Sequence, residues 1–213
     1  KYLNVWVCKT IGKSTGSGIV IGYAQFPGGA AATDGIVLRS DYTGRIGTAA
    51  SSGNNGRVAT HEVGHWLNLR HIWGDDSGSC SGSDLVSDTP NQADMTFSTC
   101  PTFPLTDACT PSGNGVLFPD YMDYTRGNCQ NIFTAGQAAR VDAALNSSTS
   151  GRNNLWSTAN LAATGVGATP VLCSADFTVS KTVVCAGTNI TFSGLSYNTT
   201  ASTWDWDVNN DGT

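Results

Sequence analysis

The segment His61-Glu62-Val63-Gly64-His65-Trp66-Leu67-Asn68-Leu69-Arg70-His71 holds all three histidines of the chain and its single glutamate. His61 and His65 are four positions apart, so on a helix they leave one face about 6 Å apart along the axis, and two imidazoles can converge on one ion. His71 joins them only if the helix stops, because a continued helix would carry it about 9 Å past His65. Asn68 stands where the stop is needed, and after Gly it is Asn that best tolerates the left-handed backbone that ends helices. A reversal there brings a third imidazole to the first two. Three neutral nitrogens in a tetrahedral set with an open fourth position select zinc carrying a water, the arrangement of catalytic zinc. Glu62 follows the first ligand, so it lies near the metal without binding it, placed to take the proton of a zinc-bound water as the oxygen attacks a carbonyl. The plainer alternatives are a pair of ordinary core or surface histidines and a glutamate in a helix ion pair.

These side chains need elements to carry them. Tyr2–Lys9 alternates apolar and polar residues, a half-buried strand pattern, and Ile19–Phe26 and Ile36–Arg39 read as two more strands separated by a Pro-Gly-Gly turn. Asn55–Leu67 has helical periodicity. Residues 74–132 form a long loop region, which a compact domain tolerates when it is functional or cross-linked. Thr134–Leu145 returns to helix, and Leu155, Trp156 and Leu161 are expected to anchor the small-residue stretch Ser147–Pro170 onto the preceding domain. A domain boundary is expected near 165–172. Beyond it Ala175–Val179, Thr188–Phe192 and Ser202–Val208 read as Thr/Val-rich strands without helix, the opening of a small β-sandwich that would need about seven strands.

Composition removes several function classes. A net charge of −5 with no Lys/Arg cluster leaves no electrostatic footprint for nucleic acid. The longest apolar runs, such as Gly18–Tyr23 and Gly35–Leu38, are strand-sized against the roughly 20 residues of a bilayer span. Lys1 leads directly into a strand pattern, so no signal peptide is read. Among seven cysteines, Cys80 to Cys109 and Cys100 to Cys129 have equal separations. Two interleaved disulfides there would staple the loop region, each contributing roughly 3–4 kcal/mol on the loop-entropy account, and would imply an oxidising, extracellular setting. Buried free thiols are the alternative. Cys173 and Cys185 are a further candidate pair, with Cys8 left over.

The pattern HExxHxxNxxH, followed by Tyr121-Met122-Asp123-Tyr124, resembles the metzincin metalloproteases, which carry a glycine where Asn68 stands. The stretches HEVGHWLNLRHIWGD, SDLVSDTP and PDYMDYTRGNCQNIFTAGQAAR are similar to the pappalysin/cytophagalysin branch. That resemblance implies an α+β fold. Its catalytic domain, over residues 1–168, would have a twisted mixed sheet, an active-site helix and a loop-rich, disulfide-stapled lower subdomain. It also implies an N-terminally incomplete domain, since branch members have two strands and a helix ahead of the strand corresponding to Tyr2–Lys9, and a propeptide. Residues 169–213 resemble the opening of a PKD-type β-sandwich, where Asp207, Asn209, Asp211 and Gly212 match half of a calcium loop.

The resemblance further implies zinc on His61, His65 and His71, Glu62 as general base, Met122 as a hydrophobic floor and Tyr124 stabilising the reaction intermediate. Gly22, Tyr23, Ala24 and Gln25 would form the edge strand on which an extended polypeptide lies, and two disulfides are implied in the lower region. A structural calcium would follow the zinc helix, with Asp84, Ser87, Asp88 and Thr89 offering oxygens; a plain Asp/Ser-rich loop is the competing reading. Members that cleave before Arg or Lys carry an acid where this chain has Asn128, with Arg126 nearby, so a broader preference is expected. The function implied is a secreted, monomeric zinc endopeptidase. The rivals are a catalytically silent zinc-containing adhesion module and a zinc hydrolase that spares peptides.

Overall fold

The structure, a computed structural model, describes residues 2–12, 18–97, 100–166, 177–184 and 187–195. The expected third strand of the tail, the Cys173–Cys185 pair and the Asp207–Gly212 loop lie outside them. The chain divides into two units, Lys1–Ser157 and Thr158–Thr213.

The first unit is built on a three-stranded sheet. β1 (Asn4–Cys8) runs parallel to β3 (Gly35–Arg39), and β2 (Gly22–Ala24) lies antiparallel on the other side of β3, with Tyr23 opposite Val37. α1 (Arg57–Trp66) packs on β2 and β3. Ile36 and Leu38 of the sheet bury against Val58 and Trp66 of the helix, with Ile21, Ala24 and Leu155 closing the edges; each fully buried side chain of this kind is worth about 2 kcal/mol. β1 departs from the half-buried strand its alternation predicts. Val5, Trp6 and Val7 are 50, 40 and 53% exposed: among the described residues β1 pairs with β3 alone, and the alternation is buried only where a second layer covers it.

α1 ends as the Asn68 argument requires. Asn68 takes φ 73°; its N–H donates to His65 O at 2.9 Å and Leu69 N–H donates to Gly64 O at 2.8 Å. This is the Schellman pattern, in which a left-handed residue lets the chain satisfy the last helical carbonyls while reversing. The reversed chain seeds a second cluster, Leu69, Ile72, Trp73 and Met122. Gly64 makes room for it: a Cβ at that position would lie 2.5 Å from Met122 Sδ.

The loop region is held by bonds more than by apolar packing. Cys80–Cys109 and Cys100–Cys129 are disulfides, each spanning 29 positions, and Cys8 is free. Inside the loops, buried Asp123 accepts from Thr96 N–H, Tyr124 N–H and Gln92 Nε2, while Gln130 Nε2 donates to Asp123 O. Asp120 accepts from Met122 N–H and from Gln137 Nε2. Gln137 belongs to α2 (Ala135–Leu145), whose start is a capping box with Thr134. Asp88 reaches the same helix end, accepting from Thr134 Oγ1 and Gly136 N–H.

Arg152 is almost wholly buried. It forms a two-bond ion pair with Asp34 at 2.7 Å and lies over the Trp66 ring at 3.6 Å, while the Trp66 indole donates to Asp34. A short 3-10 turn, Ala31–Thr33, lies between β2 and β3, and two more, Ser40–Tyr42 and Gly47–Ser52, connect β3 to α1. Trp156, expected as an apolar anchor, stays largely exposed and instead donates its indole N–H to Leu145 O. In the second unit, α3 (Thr158–Thr164) forms from a small-residue stretch that carries no helix signal. β4 (Phe177–Val179) pairs antiparallel with β5 (Phe192–Gly194), which begins where the expected Thr188–Phe192 strand ends. The Phe177–Phe192 ring contact accompanies this register.

Candidate active site

His61 and His65 leave the buried face of α1, and the reversal at Asn68 returns His71 to them. His71 Nε2 lies 3.3 Å from His61 Nε2 and 3.0 Å from His65 Nε2. The opposite nitrogen of each ring is engaged: His61 Nδ1 on Tyr121 O at 2.7 Å, His65 Nδ1 on Leu69 O at 2.8 Å, and His71 Nδ1 on the Asp75 carboxylate at 2.8 Å. An oxygen acceptor on Nδ1 fixes that nitrogen as the N–H and leaves Nε2 with its lone pair. Burial depresses the protonation of all three rings, and neighbouring imidazoles add to it at His61 and at His71, which falls to about 3. Three lone pairs aimed into one space repel unless a cation sits among them, so the donor set fits a metal. Among the described residues it is the one group of three His, Cys, Asp or Glu side chains so gathered.

Glu62 is buried beside this space, and burial pushes its carboxyl up to about 8. A cation at the imidazoles would draw it back toward the ionised form. β2 fixes the other wall: a Cβ at Gly22 would lie 2.8 Å from Glu62 Oε1, so the strand approaches the acid only because position 22 lacks a side chain. Tyr124 packs against His61 and His71, ring centroids 5.5 and 5.1 Å away, and burial, with Glu62 adding to it, raises its phenol to about 12. That keeps it a hydrogen-bond donor at neutral pH. Met122 is fully buried beneath α1.

The remaining expected residues are less uniformly placed. Gly22, Tyr23 and Ala24 form β2, whose one strand partner among the described residues is β3. Gln25 turns away: its side chain donates to Ala30 O and accepts from Thr33 Oγ1, closing its own loop. Asn128 is exposed beside Cys129. Asp84 is buried and accepts from Thr89 Oγ1 and Val86 N–H, whereas Ser87 is exposed and Asp88 is committed to the start of α2. Phe26, Trp73 and Asp75 also border the histidines, Phe26 at 5.2 Å from the His65 ring. The run His71-Ile72-Trp73-Gly74-Asp75 carried the signal for the last two, an aromatic and an acid directly after the third ring.

Known proteins share this arrangement of sequence and fold. The peptidase M43 family pattern, that of pregnancy-associated plasma protein-A, matches residues 1–146. An extracellular metalloprotease of Arthroderma otae is 43% identical over 51% of this chain and 37% of its own length. Extracellular metalloprotease 1 of Coccidioides posadasii is 37% identical over 65% of this chain and 48% of its own. The chain therefore spans at most about half of these relatives. Mature mirolysin of Tannerella forsythia, solved with a cleaved peptide, is 48% identical, with a TM-score of 0.66 over 75% of this chain and 58% of that one.

Proposed function

The chain belongs to the pregnancy-associated plasma protein-A family of M43 peptidases, and from that premise we propose that it is a secreted, monomeric zinc endopeptidase. The observation that carries the reading is the convergence of three Nε2 lone pairs, each ring tied down through its Nδ1, with a buried carboxylate alongside.

His61, His65 and His71 would hold the zinc. When bound, zinc supplies Lewis acidity, polarising the scissile carbonyl and making a water acidic near neutral pH. Glu62 accepts the proton of the attacking water and delivers it to the leaving amine nitrogen. Tyr124 donates its phenolic proton as a hydrogen bond to the carbonyl oxygen as negative charge develops. The side of β2 away from β3 aligns the polypeptide as an added strand, which presents the scissile bond to Glu62. With Asn128 where an acid would select Arg or Lys, the residue after the cut is not restricted to basic side chains. Profiling cleavage in a peptide library and finding cuts only before Arg and Lys would refute this.

The test of the main reading is casein hydrolysis by the full chain. It is expected to be abolished by 1,10-phenanthroline and to fall by about 100- to 10,000-fold in Glu62→Ala. A Glu62→Ala variant as fast as the parent would reject the role of Glu62; no hydrolysis by a zinc-loaded parent would favour the silent adhesion module.

A structural calcium belongs to the same proposal. Its oxygens would come from Asp84, Ser87, Asp88 and Thr89, of which Asp84 is buried. Asp84 and Asp120 are buried carboxylates whose proton affinity burial raises, Asp84 adding to the rise at Asp120, and Asp120 Oδ2 has no donor. A divalent cation near Asp84 relieves both. Adding calcium to EGTA-treated protein should raise Tm, and an unchanged Tm removes the calcium.

A further inference from the structure

The three imidazoles are not held alike. His61 and His65 give their Nδ1 protons to main-chain oxygens, which move only if the fold moves. His71 faces a side chain, with both Asp75 oxygens near its Nδ1 at 2.8 and 3.1 Å. Trp73 lies flat on the same ring, centroids 4.1 Å and planes 9° apart. Trp73 is itself fixed by packing with Leu69, Ile72 and Met122, and the Tyr124 ring meets it edge-on at 4.9 Å.

The backbone is bent to make this possible. Gly74 and Asp75 take φ 72° and 54°, two left-handed residues in succession. A Cβ at Gly74 would lie 2.4 Å from Ser83 N, so the first of them must be glycine. Asp is among the few side-chain-bearing residues that tolerate the second. The turn costs conformational strain and delivers one thing, a carboxylate folded back onto the residue four positions earlier.

We infer that Asp75 and Trp73 are positioning residues for the third ligand: Asp75 fixes the tautomer and strengthens Nε2 as a donor, and Trp73 fixes the ring plane. The inference rests on the reading of the histidines as a zinc site. A carboxylate on Nδ1–H raises ligand basicity more than a neutral carbonyl does, and loss of such a partner costs about 10- to 100-fold in metal affinity. His71 needs it most, because it is the one ligand carried on a loop and not on α1. Trp73 extends the effect to Tyr124, since one indole touches both the third ligand and the phenol.

The experiment is competition for Zn²⁺ between the metal-free full chain and a chromophoric chelator. Asp75→Gly keeps the left-handed backbone and deletes the carboxylate; it is expected to weaken zinc binding about 10- to 100-fold with the Tm of the metal-free protein unchanged. Asp75→Asn keeps an acceptor oxygen without the charge and should fall between. Trp73→Leu should shift the visible absorption of the Co²⁺-loaded protein, a readout of ligand geometry, and an unshifted spectrum removes Trp73 from the inference. Zinc affinity of Asp75→Gly within about twofold of the parent, or a loss matched by an equal fall in metal-free stability, overturns the inference. A parent that binds no zinc, or a His61→Ala variant binding as tightly as the parent, sinks the zinc site itself and this inference with it.

Discussion

The two sides of α1 are held by different physics. On the sheet side, Ile36, Leu38, Val58 and Trp66 form an apolar cluster, sealed at one corner by the Arg152–Asp34 ion pair. On the loop side, the apolar cluster under the helix is small, and order comes from two disulfides and buried amides and carboxylates: Gln92, Asp120, Asp123, Gln130 and Gln137. A region lacking periodic structure cannot satisfy its buried backbone groups with ladders, so side chains do it, and cross-links limit the entropy of the unfolded loop. The histidines sit where the two regimes meet. His61 is tied to the loop side through Tyr121 O, and Glu62 touches the sheet side at Gly22.

The largest break in this contrast is expected from the cross-links. Removing the 100–129 bridge as a Cys100→Ser/Cys129→Ser pair should cost about 3–4 kcal/mol in urea unfolding; a loss under about 1 kcal/mol would mean the amide network alone holds the loops. On the sheet side, Arg152→Ala strands the Asp34 carboxylate and uncovers Trp66, for about 3 kcal/mol. An effect no larger than that of an exposed ion pair would remove this corner from the account. Thr134→Ala opens the α2 capping box and should cost about 1 kcal/mol, read by the same denaturation.

The mildest probe is acid. Hydrogen bonding to Arg152 holds Asp34 below its ordinary 3.8. A carboxyl with a lowered folded pKa contributes stability that is complete above the unfolded value and is lost as pH falls through the folded one. The sheet side should therefore weaken only below about pH 4, and Asp34→Asn should remove that part of the acid dependence. An unchanged acid slope would assign it to other carboxyls.

Much of the site can be read without coordinates because its logic is local. Four-residue spacing on a helix and one left-handed Asn are enough to bring His61, His65 and His71 together, and equal cysteine separations are enough to suggest the pairing in the loops. What escapes depends on partners distant in sequence or on packing in three dimensions. Nothing in the sequence around Arg152 marks the Asp34 and Trp66 that surround it. Gln92, Gln130 and Gln137 likewise carry no local mark of being buried amides. Gln25 reads as facing a peptide, yet Thr33 and Ala30 capture it. β1 alternates, but alternation specifies a face and says nothing of what covers it. The 3-10 turns and α3 are too short, and too rich in small residues, to leave a period.

Gly64 carries a lesson for anyone scanning genomes for such enzymes. The interior positions of H-E-x-x-H are treated as free letters, yet here the second of them lies flush against the Met122 sulfur with no space for even a methyl group. A chain with a bulky residue at that letter, and a methionine turn like this one further on, would match the signature and still have to displace its methionine floor.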